Sequence, residues 1–237
     1  MTDGPEYISL AKQPDVETRP RRLWLIRHGV TDWNSEKRLC GQSDPLLSST
    51  GEKQAHAVGQ WLCQHTIAAI YSSDLQRAVQ TTAIIGAYLP SSTPIQASEA
   101  WRELSFGAWE GLTYAEVAAR YPDQLGFFTH PTQQTPPDGE SFMALIARVR
   151  AGFIQLAQDA VTLPEGDIVL VGHGGALRVL ICLILGMPFE RQWQVRLDHG
   201  SLSALDFLAG TDDVFSTTSL SLLNQPAGAS SVGIGDV

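Results

Sequence analysis

The chain has 237 residues, 43% of them hydrophobic, and its mean hydropathy is close to zero, so it can bury the core of one large domain or two small ones and is not a disordered polypeptide. Asp and Glu number 25 against 16 Lys and Arg, and the net charge of −9 argues against nucleic acid as the partner. The longest apolar run, 179–185, is shorter than the roughly 20 residues a membrane helix needs, and 1–20 read as a loose polar extension without the apolar segment of a leader.

Leu23-Trp24-Leu25-Ile26 runs straight into Arg27-His28-Gly29, which predicts a buried strand at 22–27 stopped by a glycine turn. A turn-rich loop, Cys40-Gly41-Gln42-Ser43-Asp44-Pro45, follows. Ser49 and Glu52 have capping-box spacing and open a helix whose apolar residues include Ala55, Val58 and Leu62. Ala68-Ala69-Ile70-Tyr71 predicts a second strand, ending in Ser72-Ser73-Asp74. Ser73 and Gln76 repeat the capping spacing and start a helix over about 75–89, with Arg77 in its first turn.

A short strand near 94–97 leads into 100–140, a long irregular stretch rich in aromatics, glycine and proline, with one helix opened by Thr113 and Glu116. It is too apolar for disorder and reads as a lid. Phe142, Leu145, Ile146, Val149, Phe153 and Leu156 then fall on one helical face. Another buried strand at 167–171 ends in Gly172-His173-Gly174-Gly175, before a helix carrying Leu177, Leu180, Ile181 and Ile184 and stopped by Gly186 and Pro188. Closing strands are expected at 202–208 and 214–223, and a flexible tail at 225–237. The alternation predicts one α/β domain over 21–224: a three-layer α/β/α sandwich, its mainly parallel sheet flanked by helices, with a lid insertion at about 100–140.

Ligands of open α/β sheets bind beyond the carboxyl ends of the strands. A strand that merely ends in two polar residues is the plain reading of Arg27-His28, but three strands share this chemistry. Arg27 and His28 end the first, the second feeds the helix bearing Arg77, and the late strand ends in His173-Gly174 at a helix start. Arginine forks match phosphate oxygens, a helix N-terminus favours an anion, and a neutral imidazole can attack phosphorus. The inventory asks for a phosphoryl group. No cofactor or metal signature accompanies it: there is no His-Glu-x-x-His pattern, no acidic ligand cluster and no Gly-rich nucleotide loop ending in Lys-Ser/Thr. Cys40, Cys63 and Cys182 are odd in number and lack metal spacing, as expected of reduced thiols in a cytoplasmic protein.

Five ordered blocks resemble the histidine phosphatase superfamily, which includes the phosphoglycerate mutases. They are Arg27-His28-Gly29-x-Thr31-x-Trp33-Asn34, Ser72-Ser73-Asp74-Leu75-x-Arg77-Ala78-x-Gln80-Thr81, Arg102-Glu103-x-x-Phe106-Gly107-x-Trp109-Glu110-Gly111, Pro137-x-Gly139-Glu140-Ser141 and His173-Gly174-Gly175-x-x-Arg178. The resemblance implies that His28 is a nucleophile that becomes phosphohistidine. It makes Arg27, Arg77 and His173 the groups that hold and stabilise the phosphoryl oxygens, with Asn34, Gly41 and the Gly174 amide lining the site. It makes Glu103 the acid that protonates the leaving oxygen and then the base that takes a proton from water, as an alkoxide leaving group requires.

Mutases of this family carry a tyrosine where Phe106 stands, a lysine where Tyr114 stands, a pair of lid arginines, and an asparagine where Gly175 stands. Here Arg120 is the only Lys or Arg from Thr113 to Gly139, and Cys40 replaces the usual hydroxyl residue before Gly41. A mutase must retain an anionic intermediate while it reorients, so the expectation is hydrolysis of a small phosphorylated metabolite, with mutase action as the alternative and a silent binding module as a further one. The stretch from Phe106 to Thr113 and the region from 185 to 203 look similar to α-ribazole phosphatases, which act late in cobalamin nucleotide-loop assembly. The same blocks also occur in sugar-phosphate and phosphoserine phosphatases. No nucleic-acid or membrane partner is expected, and a homodimer is compatible with the reading. His56, His65 and His130 read as surface histidines, with substrate contact as the alternative for His130 because it sits in the lid; Glu140 and Ser141 read as caps of the following helix, and His199-Gly200 as a turn before a strand.

Overall fold

The computed structural model describes residues 18–228. The first strand, β1 (Arg19–Arg27), is followed by a single helical turn, α1 (Asp32–Ser35), and then α2 (Ser49–Leu62), β2 (Ile67–Ser73), α3 (Gln76–Gly86) and β3 (Ile95–Ser98). The insertion that follows holds α4 (Tyr114–Arg120) and three short 3₁₀ turns. The chain ends with α5 (Phe142–Asp159), β4 (Asp167–Gly172), α6 (Gly174–Leu185), β5 (Ser201–Ala209) and β6 (Ser219–Pro226). No helix among the described residues is long and apolar enough to cross a membrane.

The six strands form one sheet in the order β3-β2-β4-β1-β5-β6. The pairings from β3 to β1 are parallel, and β5 and β6 add an antiparallel edge beyond β1. Alternate residues of the central strands serve opposite faces. Leu23, Leu25, Ile168 and Leu170 pack with α5 and α6, whereas Trp24, Ile26, Val169 and Val171 pack with α2 and α3. Burial on both faces explains why these strands read as unbroken apolar runs, and the result is the expected three-layer sandwich.

Several ends differ from the sequence expectation. Ser48, not Ser49, caps α2, its side chain accepting from Gly51 N, while α3 begins after Leu75 with no side-chain cap. Neighbouring hydroxyl residues offer the same local chemistry, so spacing alone does not choose between Ser48 and Ser49. The Thr113–Glu116 capping box forms. Ser141 caps α5, but Glu140 instead makes a bidentate pair with Arg148 at 2.7 and 2.8 Å. The last strand starts at Ser219, because 214–218 form turns tied by Thr217 and Thr218 to Val214 O. That strand also takes in Gln225 and Pro226 of the expected tail. Arg19 and Pro20 of the expected extension already pair in β1; residues 1–17 and 229–237 of the two segments lie outside the described residues.

The insertion is a packed cap. Trp101, Leu104, Trp109, Val117 and Phe127 are buried and continuous with the core above α5 and α6, and Trp109 stacks on Phe128 at 5.6 Å between centroids. On the same side of the sheet, Phe153 of α5 is fully buried against Phe207 and Phe215. Truncating Phe153 to Ala leaves a cavity at this junction and is expected to cost about 3–5 kcal/mol, measurable as a lower urea midpoint with an unchanged slope.

Candidate active site

The parallel register sets the site. Arg27 lies opposite Gly172, and His28 N donates to Gly172 O at 3.0 Å, so His28 and His173 leave adjacent strands at the same level. Their rings lie 4.9 Å apart. Both are buried, as is Arg77, which reaches the same point from the first turn of α3. The structure therefore brings together the four groups that the sequence placed at strand ends.

His28 Nδ1 lies 2.7 Å from Gly29 O. A carbonyl can only accept, so Nδ1 carries the proton and Nε2 keeps its lone pair. Arg77 Nε donates to that Nε2 at 3.3 Å, while its Nη1 and Nη2 donate to Ser43 O and Gly41 O at 2.8 and 2.6 Å. Arg27 Nη1 donates to Leu197 O at 2.7 Å. Arg27 Nε and both ring nitrogens of His173 are buried without any hydrogen-bond partner. Burial, and then the neighbouring His173 and arginine charges, holds His28 well below the ordinary histidine range. Burial followed by Arg77 and Arg27 does the same to His173. Burial and the nearby Arg178 lower Arg27 to about 10. Such a site is rich in positive charge and holds His28 in its neutral form.

Glu103 is delivered from the insertion. Its Oε2 accepts from Gly175 N at 3.0 Å at the start of α6, and its Oε1 from Leu104 N at 3.0 Å. A Cβ at position 175 would collide with the Glu103 carboxylate, so glycine there is what lets that carboxylate sit on the helix N-terminus. Arg148 of α5 holds the backbone beneath it, donating to Ala100 O, Arg102 O and Glu103 O. Arg102 is clamped to Asp74, at the end of β2, through two hydrogen bonds. Glu110 accepts from Gln42 N, Ser43 N and Phe106 N, lacing the insertion to the loop that receives Arg77.

Asn34 stands at the rim of this cluster with its side chain already engaged. Its Oδ1 accepts from Thr31 N and Oγ1, and its Nδ2 donates to Cys40 Sγ at 3.2 Å. Beside Glu103 a cavity of about 120 Å³ opens, lined by Leu39, Phe106, Phe128, Trp193 and Arg178. Arg178 stacks over Trp193 and spends its Nε on Val195 O. Among the described residues no three His, Cys, Asp or Glu side chains are grouped so as to hold a metal ion.

His199 is the residue that sequence reasoning missed. Read as part of a turn, it instead places its ring 5.3 Å from that of His28. The signal was hidden in pairing: β5 runs antiparallel to β1 with Leu202 opposite Ile26, which carries the residues just before β5 to the end of β1. Arg148 gave no local sign of its role. His130 is exposed and bonded to Thr129, and His56 is exposed and bonded to Tyr88, so both are surface residues as expected.

A model of the histidine phosphatase superfamily (branch 1) matches residues 23–217. The bifunctional protein Rv2228c of Mycobacterium tuberculosis is 34% identical over 207 residues, 87% of this chain but 54% of the relative, so the chain spans about half the length of that protein. A glucosyl-3-phosphoglycerate phosphatase of Mycolicibacterium vanbaalenii is 33% identical over 78% of this chain and 83% of its own length. Among solved structures, the α-ribazole phosphatase of Shigella flexneri superposes with a TM-score of 0.76 at 27% identity, covering 86% of this chain and 96% of the other.

The depressed histidines carry a pH consequence. Below about 6.5 the unfolded chain binds protons at His28, His173 and His199 that the folded chain refuses, so stability falls as pH drops. Urea midpoints are expected to decrease from pH 7 to pH 5.5, and ¹⁵N shifts to report His28 still neutral, with its proton on Nδ1, at pH 5.5. A His28 that titrates near 6.5 would contradict the geometry.

Proposed function

The chain belongs to the histidine phosphatase superfamily, and on that premise we propose that it is a phosphomonoesterase acting through a phosphohistidine on His28. The observation that carries this reading is the Nε2 lone pair of His28, which faces Arg77 among buried donors that lack partners. A phosphate ester placed there would meet the nucleophile and the Arg27, Arg77 and His173 donors together. His28 Nε2 forms a bond to phosphorus as the ester P–O bond breaks, and Glu103 gives its proton to the departing alkoxide. Water then attacks the phosphohistidine, Glu103 takes back a proton, and the P–N bond breaks to release phosphate and restore neutral His28. Cationic and neutral donors fixed in a water-poor site stabilise the transferring phosphoryl group without having to reorganise.

Two features support hydrolysis over mutase action. Arg120, the lone arginine of the cap helix, is exposed, and Tyr114 sits at the rim against Phe128. Neither offers an anion-binding group inside the cavity beside Glu103. For the substrate, the aromatic lining of that cavity suits a flat apolar leaving group, and with the likeness to an α-ribazole phosphatase this supports α-ribazole 5'-phosphate. Arg178 on the same wall favours a second reading, an acidic alcohol of the kind glucosyl-3-phosphoglycerate phosphatases release. Unpaired Cys40, Cys63 and Cys182 fit a reducing cytoplasmic setting.

His28→Ala is expected to abolish phosphate release with the fold intact. Glu103→Gln is expected to slow alkyl phosphates at least about 100-fold while slowing p-nitrophenyl phosphate far less, because p-nitrophenolate leaves without a proton; equal slowing would remove the acid assignment. A phosphate-release panel should favour α-ribazole 5'-phosphate over sugar phosphates, phosphoserine and phosphoglycerates, with interconversion of 3- and 2-phosphoglycerate much slower than hydrolysis. Mutase turnover as fast as hydrolysis would overturn the reading of the cap.

A further inference from the structure

His199 is built into the site from both sides. Gly200 N donates to Arg27 O at 2.9 Å, and Gly200 adopts a left-handed φ of +68° where a Cβ would lie 2.7 Å from Gln54 Cβ. Gln54 in turn accepts from Val30 N, just past the nucleophile. On the other side Asp198 N donates to Asn224 Oδ1 at 2.6 Å, and Asn224 Nδ2 returns a hydrogen bond to Asp198 Oδ2. The imidazole so held meets the His28 ring edge-on, and its Nε2 is buried with no hydrogen-bond partner.

A buried polar atom without a partner costs stability, and a phenyl ring would pack edge-on against His28 without that cost. The same condition holds for Arg27 Nε and for both nitrogens of His173. The orphaned groups thus lie around His28, and Arg27 Nε together with one nitrogen of each neutral imidazole can donate to one polyatomic anion. Burial and the Arg27 charge lower His199 to about 3, so near neutral pH it adds no cation to a pocket already crowded with them, yet as a neutral tautomer it still donates one hydrogen bond.

We propose that His199 is a further catalytic residue, donating from Nε2 to the phosphoryl group as it passes onto and off His28. The assignment rests on the phosphohistidine reading above. It predicts different fates for two substitutions. His199→Phe keeps the ring packing and removes the donor, whereas His199→Gln keeps a donor and removes the ring.

The experiment is the binding of orthovanadate, which mimics the transferring group, measured by calorimetry on wild type and both variants, alongside kcat/KM for p-nitrophenyl phosphate and melting temperature. His199→Phe is expected to lower kcat/KM roughly 10- to 100-fold, the worth of one hydrogen bond to a charged group. It should weaken vanadate by a similar factor without lowering Tm, and His199→Gln should recover most of both. Unchanged vanadate binding in His199→Phe, or rescue by Phe and not by Gln, would overturn the proposal and leave His199 as packing. The vanadate measurement needs no turnover. If wild type released no phosphate from any ester the phosphatase reading would fail by itself, whereas an active wild type with an equally active His199→Phe would sink only the role of His199.

Discussion

Arg77 is a buried guanidinium with no carboxylate in contact: its three nitrogens are spent on two carbonyls and on the His28 lone pair. Taking a charge out of water without pairing it is costly, and most of the surrounding architecture can be understood as the means of tolerating that cost. The loop from Gly41 to Ser43 turns its carbonyls inward to receive the fork. Glu110 then ties that loop by its amides, so that the carbonyls cannot swing away. Arg27 is held in the same manner, by Leu197 O. Carbonyl dipoles soften these charges without neutralising them, which leaves the pocket with an unmet demand for negative charge. On the proposed reading, the energy spent in folding the site would be recovered when a dianion enters, which is preorganisation.

The same demand accounts for the histidines. In a pocket already cationic, a protonated imidazole would be repelled, so burial and nearby charge keep His28 in the form that can attack. The backbone completes the assignment, because Gly29 O fixes the proton on Nδ1. A neutral ring with an Nε2 lone pair thus comes from two elementary effects, desolvation and one hydrogen bond. On the proposed reading, neither requires a general base to deprotonate His28.

Much of this was legible before any coordinates. Buried parallel strands announce themselves as apolar runs, and their carboxyl ends carry Arg27, His28 and His173, with Arg77 in the first turn of the helix that follows β2. What escaped depended on pairings that distant segments decide. His199 reaches His28 only because β5 runs antiparallel along β1, and nothing in His199-Gly200 states which strand will lie beside it. Glu140 looked like a helix cap, since an acidic residue before a helix usually is one, and its true partner Arg148 lies two turns on, at a point where the backbone of Glu103 must be held. Helix ends slipped by a residue where neighbouring hydroxyls compete, as at Ser48 and Ser49.

The seat of Glu103 on Gly175 N at the start of α6, with its backbone braced from α5 by Arg148, puts this carboxylate and His28 in different parts of the sandwich. His28 and Arg77 are held by β1, the loop after it, and α3. Glu103 and the aromatic cavity belong to the cap and to the helices on the other face. On the proposed reading the site is therefore modular: one half would meet what every phosphate ester shares, the other what distinguishes one ester from the next. Exchange of Phe106, Phe128 or Trp193 would then change the alcohol released, while the groups around His28 are left untouched.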